Sequence, residues 1–217
     1  MATVAASATL MASLLGSTLQ ASASSTDPPT GVGVVLNAPI VAATAVPGGH
    51  GYWLVGSDGG VFAFGDAGFY GSVGSLHLNS PIVGMEATRD GHGYWEVAAD
   101  GGMFAFGDAG FHGSTGGLTL QAPVVGIGAT RDGGGYWLDA ADGGIFAFGD
   151  AGFFGSMGGT TLVEPMVGLA STADGKGYWL VAADGGIFAF GDAGFSGSVG
   201  GHPLVEPMVG ITALPAS

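Results

Sequence analysis

The chain has 217 residues, of which 46 are glycine, 9% are charged and 10% are aromatic; that mixture excludes a disordered Gly-rich chain and, with no Gly at every third position, a collagen, and it points to short strands joined by tight turns. Three basic residues (Arg89, Arg131, Lys176) against 17 acidic ones give a formal charge of −14, so nucleic acid and anionic membrane surfaces, which are held by clustered Lys and Arg, are not expected partners. Cysteine is absent, which removes disulfides and thiolate zinc sites.

Residues 1–23 are small and apolar and end in Ala21-Ser22-Ala23, the small-x-small form of a signal-peptidase site; they read as a secretory signal although they contain no Lys or Arg. Residues 24–38 read as a linker, in which Pro28 and Pro29 bar regular structure. No later stretch is apolar for long enough to span a bilayer as a helix, so no transmembrane segment is expected in the mature chain, and the expected location is secreted or cell-surface.

From residue 39 to 217 the chain is periodic. Pro39, Pro81, Pro123, Pro165 and Pro207 recur 42 residues apart and mark units 39–80, 81–122, 123–164 and 165–206 with a partial fifth, 207–217. The third and fourth units agree at 31 of 42 positions, so the copies solve one structural problem in one way. Each unit holds four short apolar runs, which in the second are 82–88, 93–99, 102–108 and 110–114, divided by RDGH, DGG and DAG. Asp-Gly between β-branched or aromatic runs is a hairpin signal, and the pattern predicts a four-stranded antiparallel meander per unit.

In the second run Trp53 and Val55 alternate with Tyr52 and Leu54, and in the third Phe62 and Phe64 alternate with Val61 and Ala63. Both faces are apolar, so each sheet must lie between neighbours, as a propeller blade does. The expected fold is therefore all-β: a β-propeller of four-stranded antiparallel blades, about four of them, with one surplus first strand because the Pro-led run occurs five times. An open β-solenoid-like repeat stack is the alternative. Gly84, Gly126, Gly168 and Gly210, with Ala42 in the first copy, place small residues on the first strand, where strands would crowd around an axis. The string GYWLVAADGGIFAFGDAGF (177–195) resembles repeats of secreted actinobacterial proteins, and its VAADGGIFAFGDAG core resembles quinoprotein-like propeller blades. The resemblance covers about residues 39–214 and implies a propeller module without transferable catalytic residues.

Several repeated residues are candidate functional groups. Trp53, Trp95, Trp137 and Trp179, each preceded by Tyr, could stack on sugar rings, but their mid-strand positions assign them to the structural core. Asp58, Asp100, Asp142 and Asp184 precede Gly-Gly, and one carboxylate per turn suits turn stabilisation better than a bound cation. The position held by Tyr70, His112, Phe154 and Ser196 varies between constant neighbours, which suggests exposure and makes these four the tentative ligand-binding residues. Glu86, Glu96 and Asp139 break the repeat and read, by charge alone, as solvated strand positions.

Equivalent copies supply no asymmetric carboxylate pair for glycoside hydrolysis, the five histidines (50, 77, 92, 112, 202) fall at scattered positions, and no glycine-rich turn carries Gly-Lys-Ser/Thr. No catalytic residue, metal or cofactor is expected. The sequence points to a non-catalytic secreted module that binds cell-wall glycan or a surface protein, with a structural spacer or self-associating surface repeat protein as the alternative.

Overall fold

The computed structural model describes residues 36–213; the expected signal and most of the linker lie outside them. Among the described residues there are twelve strands and no helix. Three strands come from each copy: β1 (Ile40–Ala45), β2 (Tyr52–Gly56) and β3 (Val61–Phe64); β4 (Ile82–Ala87), β5 (Gly93–Ala98) and β6 (Met103–Gly107); β7 (Val124–Ala129), β8 (Gly135–Ala140) and β9 (Ile145–Gly149); β10 (Met166–Ser171), β11 (Gly177–Ala182) and β12 (Ile187–Gly191). Each triplet forms its own sheet in sequence order, as a meander of short hairpins must. In the second and third strands of each sheet the turn between them follows the Asp-Gly-Gly signal: Asp142 Oδ1 accepts from Gly144 N at 2.9 Å, and Gly143 holds a φ of +77° that only glycine adopts without strain.

Two compact units divide the described residues, one running to Glu96 with Phe104–Ala109 and the other Val97–Met103 with the residues from Gly110 onward. In the first, β1 lies against β4, and in the second β7 lies against β10. The central strands are the most buried: β5 and β8 are buried at every position, which is the two-sided covering their apolar faces demanded. First strands carry a register shift, at Val124/Gly126 in β7 and Met166/Gly168 in β10, a bulge at the repeated glycine. A Cβ on Gly168 would meet Gly210 Cα at an ordinary contact distance of 3.4 Å, whereas one on Gly126 would come within 2.5 Å of Asp139 Oδ1.

Two expectations about strands are corrected. The fourth run of each unit is not a strand. In the third copy's neighbourhood the reason is visible: His112 N donates to the Tyr136 hydroxyl at 3.1 Å, that hydroxyl donates to the Gly113 carbonyl at 2.5 Å, and Gly113 has a φ of +138°. Side chains of the following copy thus take the polar groups that a ladder would have used. The surplus first strand is not a strand either. Met208 N donates to Ala183 O at 2.9 Å, as Met166 N does to Ala141 O, but residues 208–213 join no ladder.

Candidate functional site

Contacts between successive copies are built by one recurring device. Trp53 packs on Tyr94 at 5.6 Å between ring centroids and on Tyr70 at 6.5 Å; Trp137 packs on Tyr178 at 5.7 Å and on Phe154 at 6.3 Å. The tyrosine hydroxyl of the later copy donates to a glycine carbonyl of the earlier one, Tyr94 to Gly71 and Tyr178 to Gly155, and accepts from the residue before that glycine, Tyr70 or Phe154. A phenylalanine of the later copy covers the glycine: a Cβ on Gly113 would come within 2.5 Å of Phe148, and one on Gly155 within 2.6 Å of Phe190. Glycine is needed here for close approach as well as for its backbone angle. Trp53, Trp95 and Trp137 are fully buried, as core residues should be, while Trp179 is only half-buried.

This device relocates the tentative ligand-binding residues. Tyr70, His112 and Phe154 are half-buried rather than exposed. Tyr70 donates its hydroxyl to the Gly91 carbonyl at 3.0 Å, and the His112 Nε2 lies 2.9 Å from the Gly133 carbonyl. Their side chains fill the junction between copies, and the variation records different ways of filling it. Ser196 alone is exposed. In the last three copies the exposed residue is instead the phenylalanine just before: Phe111, Phe153 and Phe195 each leave 63% of their surface open, while Phe69 of the first copy is half-buried. Nothing in the sequence marks them as exposed, since a constant phenylalanine carries no sign of which face it occupies. Beside Phe195 lies an open groove of about 360 Å³, with Leu162, Ile187, Phe188 and Asp184 in its lining.

Asp58, Asp100, Asp142 and Asp184 each accept from the backbone N of the second following glycine at 2.9–3.0 Å, so they stabilise their turns. Among the described residues one group of ligand-type side chains converges, Asp90, His92 and Asp108, with one atom of each within 4.8 Å of the others. All three are exposed, and His92 Nδ1 sits 3.2 Å from Asp90 Oδ2. The hydrogen bond from the His92 backbone, with the His92 side chain, holds the Asp90 carboxyl well below the usual carboxylate range. Spacing in sequence did not reveal this group because its members come from a loop and a strand end 16 residues apart.

The reading of the odd acids as solvated is overturned for two of them. Glu96 and Asp139 are fully buried, and their carboxylate oxygens have no hydrogen-bond partner. They occupy positions held elsewhere by Leu54, Leu138 and Leu180, and by Val55, Val97 and Val181, so the fold treats them as it treats those apolar residues. Burial, with the Asp58 charge adding to it, pushes the Glu96 carboxyl up to about 9; burial pushes Asp139 up to about 7. Glu86 is half-buried and burial raises it to about 7. Neutral buried acids are the expected response to a low-dielectric setting.

No protein-family model matches the chain, and no curated protein is similar to it in sequence. Among the solved structures similar to it is the β-propeller domain of Cps50 (Swd1) from Myceliophteria thermophila, at a TM-score of 0.51 and 12% identity, covering 80% of this chain and 63% of that one. At that identity the likeness bears on the fold, and with the four sheets it makes this chain a β-propeller fold; the chain spans about 63% of that neighbour's length. No helix among the described residues is long and apolar enough to cross a membrane.

Proposed function

We propose that this chain is a non-catalytic, secreted module that binds cell-envelope polysaccharide through a row of exposed phenylalanines. The observation that carries the reading is the equal 63% exposure of Phe111, Phe153 and Phe195, one in each of the second, third and fourth copies at a 42-residue spacing, while Phe69 of the first copy is half-buried. Exposed flat rings on three equivalent sites suit a polymer whose own units repeat, because each ring can stack on the apolar face of one sugar. The groove beside Phe195 adds Thr161 and Ser198 hydroxyls and Asp184 near an apolar floor, the mix of a flat contact and a few polar groups that sugar binding uses. The Ala21-Ser22-Ala23 signal supports export to where such a polymer lies. A catalytic role finds little support, since the buried acids Glu96 and Asp139 do not reach solvent.

A glycan array probed with the purified protein tests this reading. Binding to envelope-type polysaccharides supports it; an array without binding, together with retention of the chain by a surface-protein fraction, would transfer the same phenylalanines to a protein partner. The second reading, a self-associating repeat protein, is favoured by a separate observation, the exposure of Tyr52 in the first copy and of Ser196 and Gly197 in the fourth.

A further inference from the structure

The junction between copies has a donor half and an acceptor half, and among the described residues the first copy leaves its donor half, and the fourth its acceptor half, unengaged. The donor half is the Tyr-Phe pair of the later copy. Within the array it is engaged: Tyr94 sits 5.6 Å from Phe106, Tyr178 sits 5.7 Å from Phe190, and the pairs are tilted at 48° and 44°. In the first copy the equivalent pair is Tyr52 and Phe64. Tyr52 is 46% exposed, its hydroxyl makes no hydrogen bond among the described residues, and its ring lies nearly flat on Phe64, 5.1 Å away at 21°.

The acceptor half is the segment after the exposed phenylalanine. In the third copy Phe154 N donates to the Tyr178 hydroxyl at 3.2 Å, and the Gly155 carbonyl accepts from it at 2.6 Å. The fourth copy offers Ser196 and Gly197 in those places. Both are exposed, a Cβ on Gly197 would meet nothing within 4 Å, and Trp179, the platform for the missing tyrosine, is half-buried. Val199, Val205, Met208 and Val209, which follow in the chain, are also exposed, so this part of the fourth copy leaves much apolar surface uncovered.

We propose that Tyr52 and Phe64 of one copy of this chain dock onto Trp179, Ser196 and Gly197 of a second copy, so that chains associate head to tail. The proposal extends the self-association reading and does not depend on what the exposed phenylalanines bind. A second copy is the occupant because the chain carries the complementary half itself, and because the same chemistry joins copies three times within it: Tyr94 to Gly71, Tyr136 to Gly113 and Tyr178 to Gly155. The contact is heterologous, since two different surfaces meet. Ser196 is the one small residue at its repeat position, so this junction has the least filling and is the weakest of the set, suited to reversible association.

The test is sedimentation equilibrium of the full chain over a concentration series, with Tyr52→Asp, which spoils the donor half, and Ser196→Asp, which spoils the acceptor half. Both residues are exposed, so both variants are expected to keep the wild-type circular dichroism and melting temperature. The wild type should associate reversibly, each variant alone should be monomeric, and an equimolar mixture of the two should form a one-to-one pair through the single intact junction. Ser196→Phe, which restores the filling found at Phe154, should tighten wild-type association at least tenfold. Three results overturn the proposal: a wild type monomeric throughout the series, which would leave Tyr52 to its own chain; association that survives both substitutions; or a mixture that stays monomeric. Retained glycan binding by the monomeric variants would keep the polysaccharide reading standing apart from this one.

Discussion

The Tyr178 hydroxyl reaches across from the fourth copy to donate to the Gly155 carbonyl of the third at 2.6 Å. It also accepts from Phe154 N at 3.2 Å, so one side-chain oxygen closes two backbone groups that no ladder serves. Tyr178→Phe keeps the ring but orphans both groups, and leaving a partly buried donor and acceptor unpaired costs about 1–3 kcal/mol. Urea melts of this variant are expected to show a lower midpoint with unchanged β-type circular dichroism. An unchanged midpoint would mean that water replaces the hydroxyl without loss.

Trp137 and Trp179 occupy one repeat position but not one environment, since Trp137 is fully buried and Trp179 is not. Trp137→Ala should cost about 3–5 kcal/mol, in the range for buried aromatics. Trp179→Ala should cost about half as much, in line with the smaller area removed from water. Paired thermal melts check the order, and equal losses would contradict the difference in packing.

The buried acids predict a pH dependence with a definite sign. Glu96 and Asp139 have ordinary values of 4.5 and 3.8, raised to about 9 and about 7 in the fold, chiefly by burial. Below about pH 4 both the folded and unfolded forms are protonated, and neither acid penalises folding. As pH rises, the unfolded chain ionises first and binds fewer protons than the folded one, so stability is lost. The loss is complete near pH 7 for Asp139 and near pH 9 for Glu96. Glu96→Leu with Asp139→Val restores the residues of the sister copies, and it should flatten this slope and raise the melting temperature at pH 8. Removing an unpaired buried polar group is worth about 1–3 kcal/mol each. The same slope in wild type and double variant would assign it to the overall charge of −14.

The 42-residue period, three strands of each copy and the capped Asp-Gly-Gly turns were legible because they rest on local chemistry: alternating apolar residues, and glycine where φ is positive. Expected runs 82–88 and 93–99 differ from β4 and β5 by one residue. What was not legible depends on the neighbouring copy. The 110–114 run has the composition of a strand, but His112 N and the Gly113 carbonyl are taken by Tyr136, a partner 23 or 24 residues away. Variation among Tyr70, His112 and Phe154 suggests exposure in the sequence, whereas in the fold it marks a half-buried junction filled in three ways. The charge of Glu96 and Asp139 suggests solvent, but their repeat positions, held by Leu54 and Val55 in the first copy, belong to the buried faces.

Phe111, Phe153 and Phe195 carry the central claim, and co-sedimentation with purified cell wall tests it most directly. The wild type and the triple variant Phe111→Ala, Phe153→Ala, Phe195→Ala are compared at matched concentrations, with melting temperatures recorded for both. Because all three rings are 63% exposed, the variant should melt within a few degrees of wild type, yet stay in the supernatant while the wild type pellets with the wall. Equal pelleting of the two proteins, at equal stability, would contradict the assignment of polysaccharide binding to these rings.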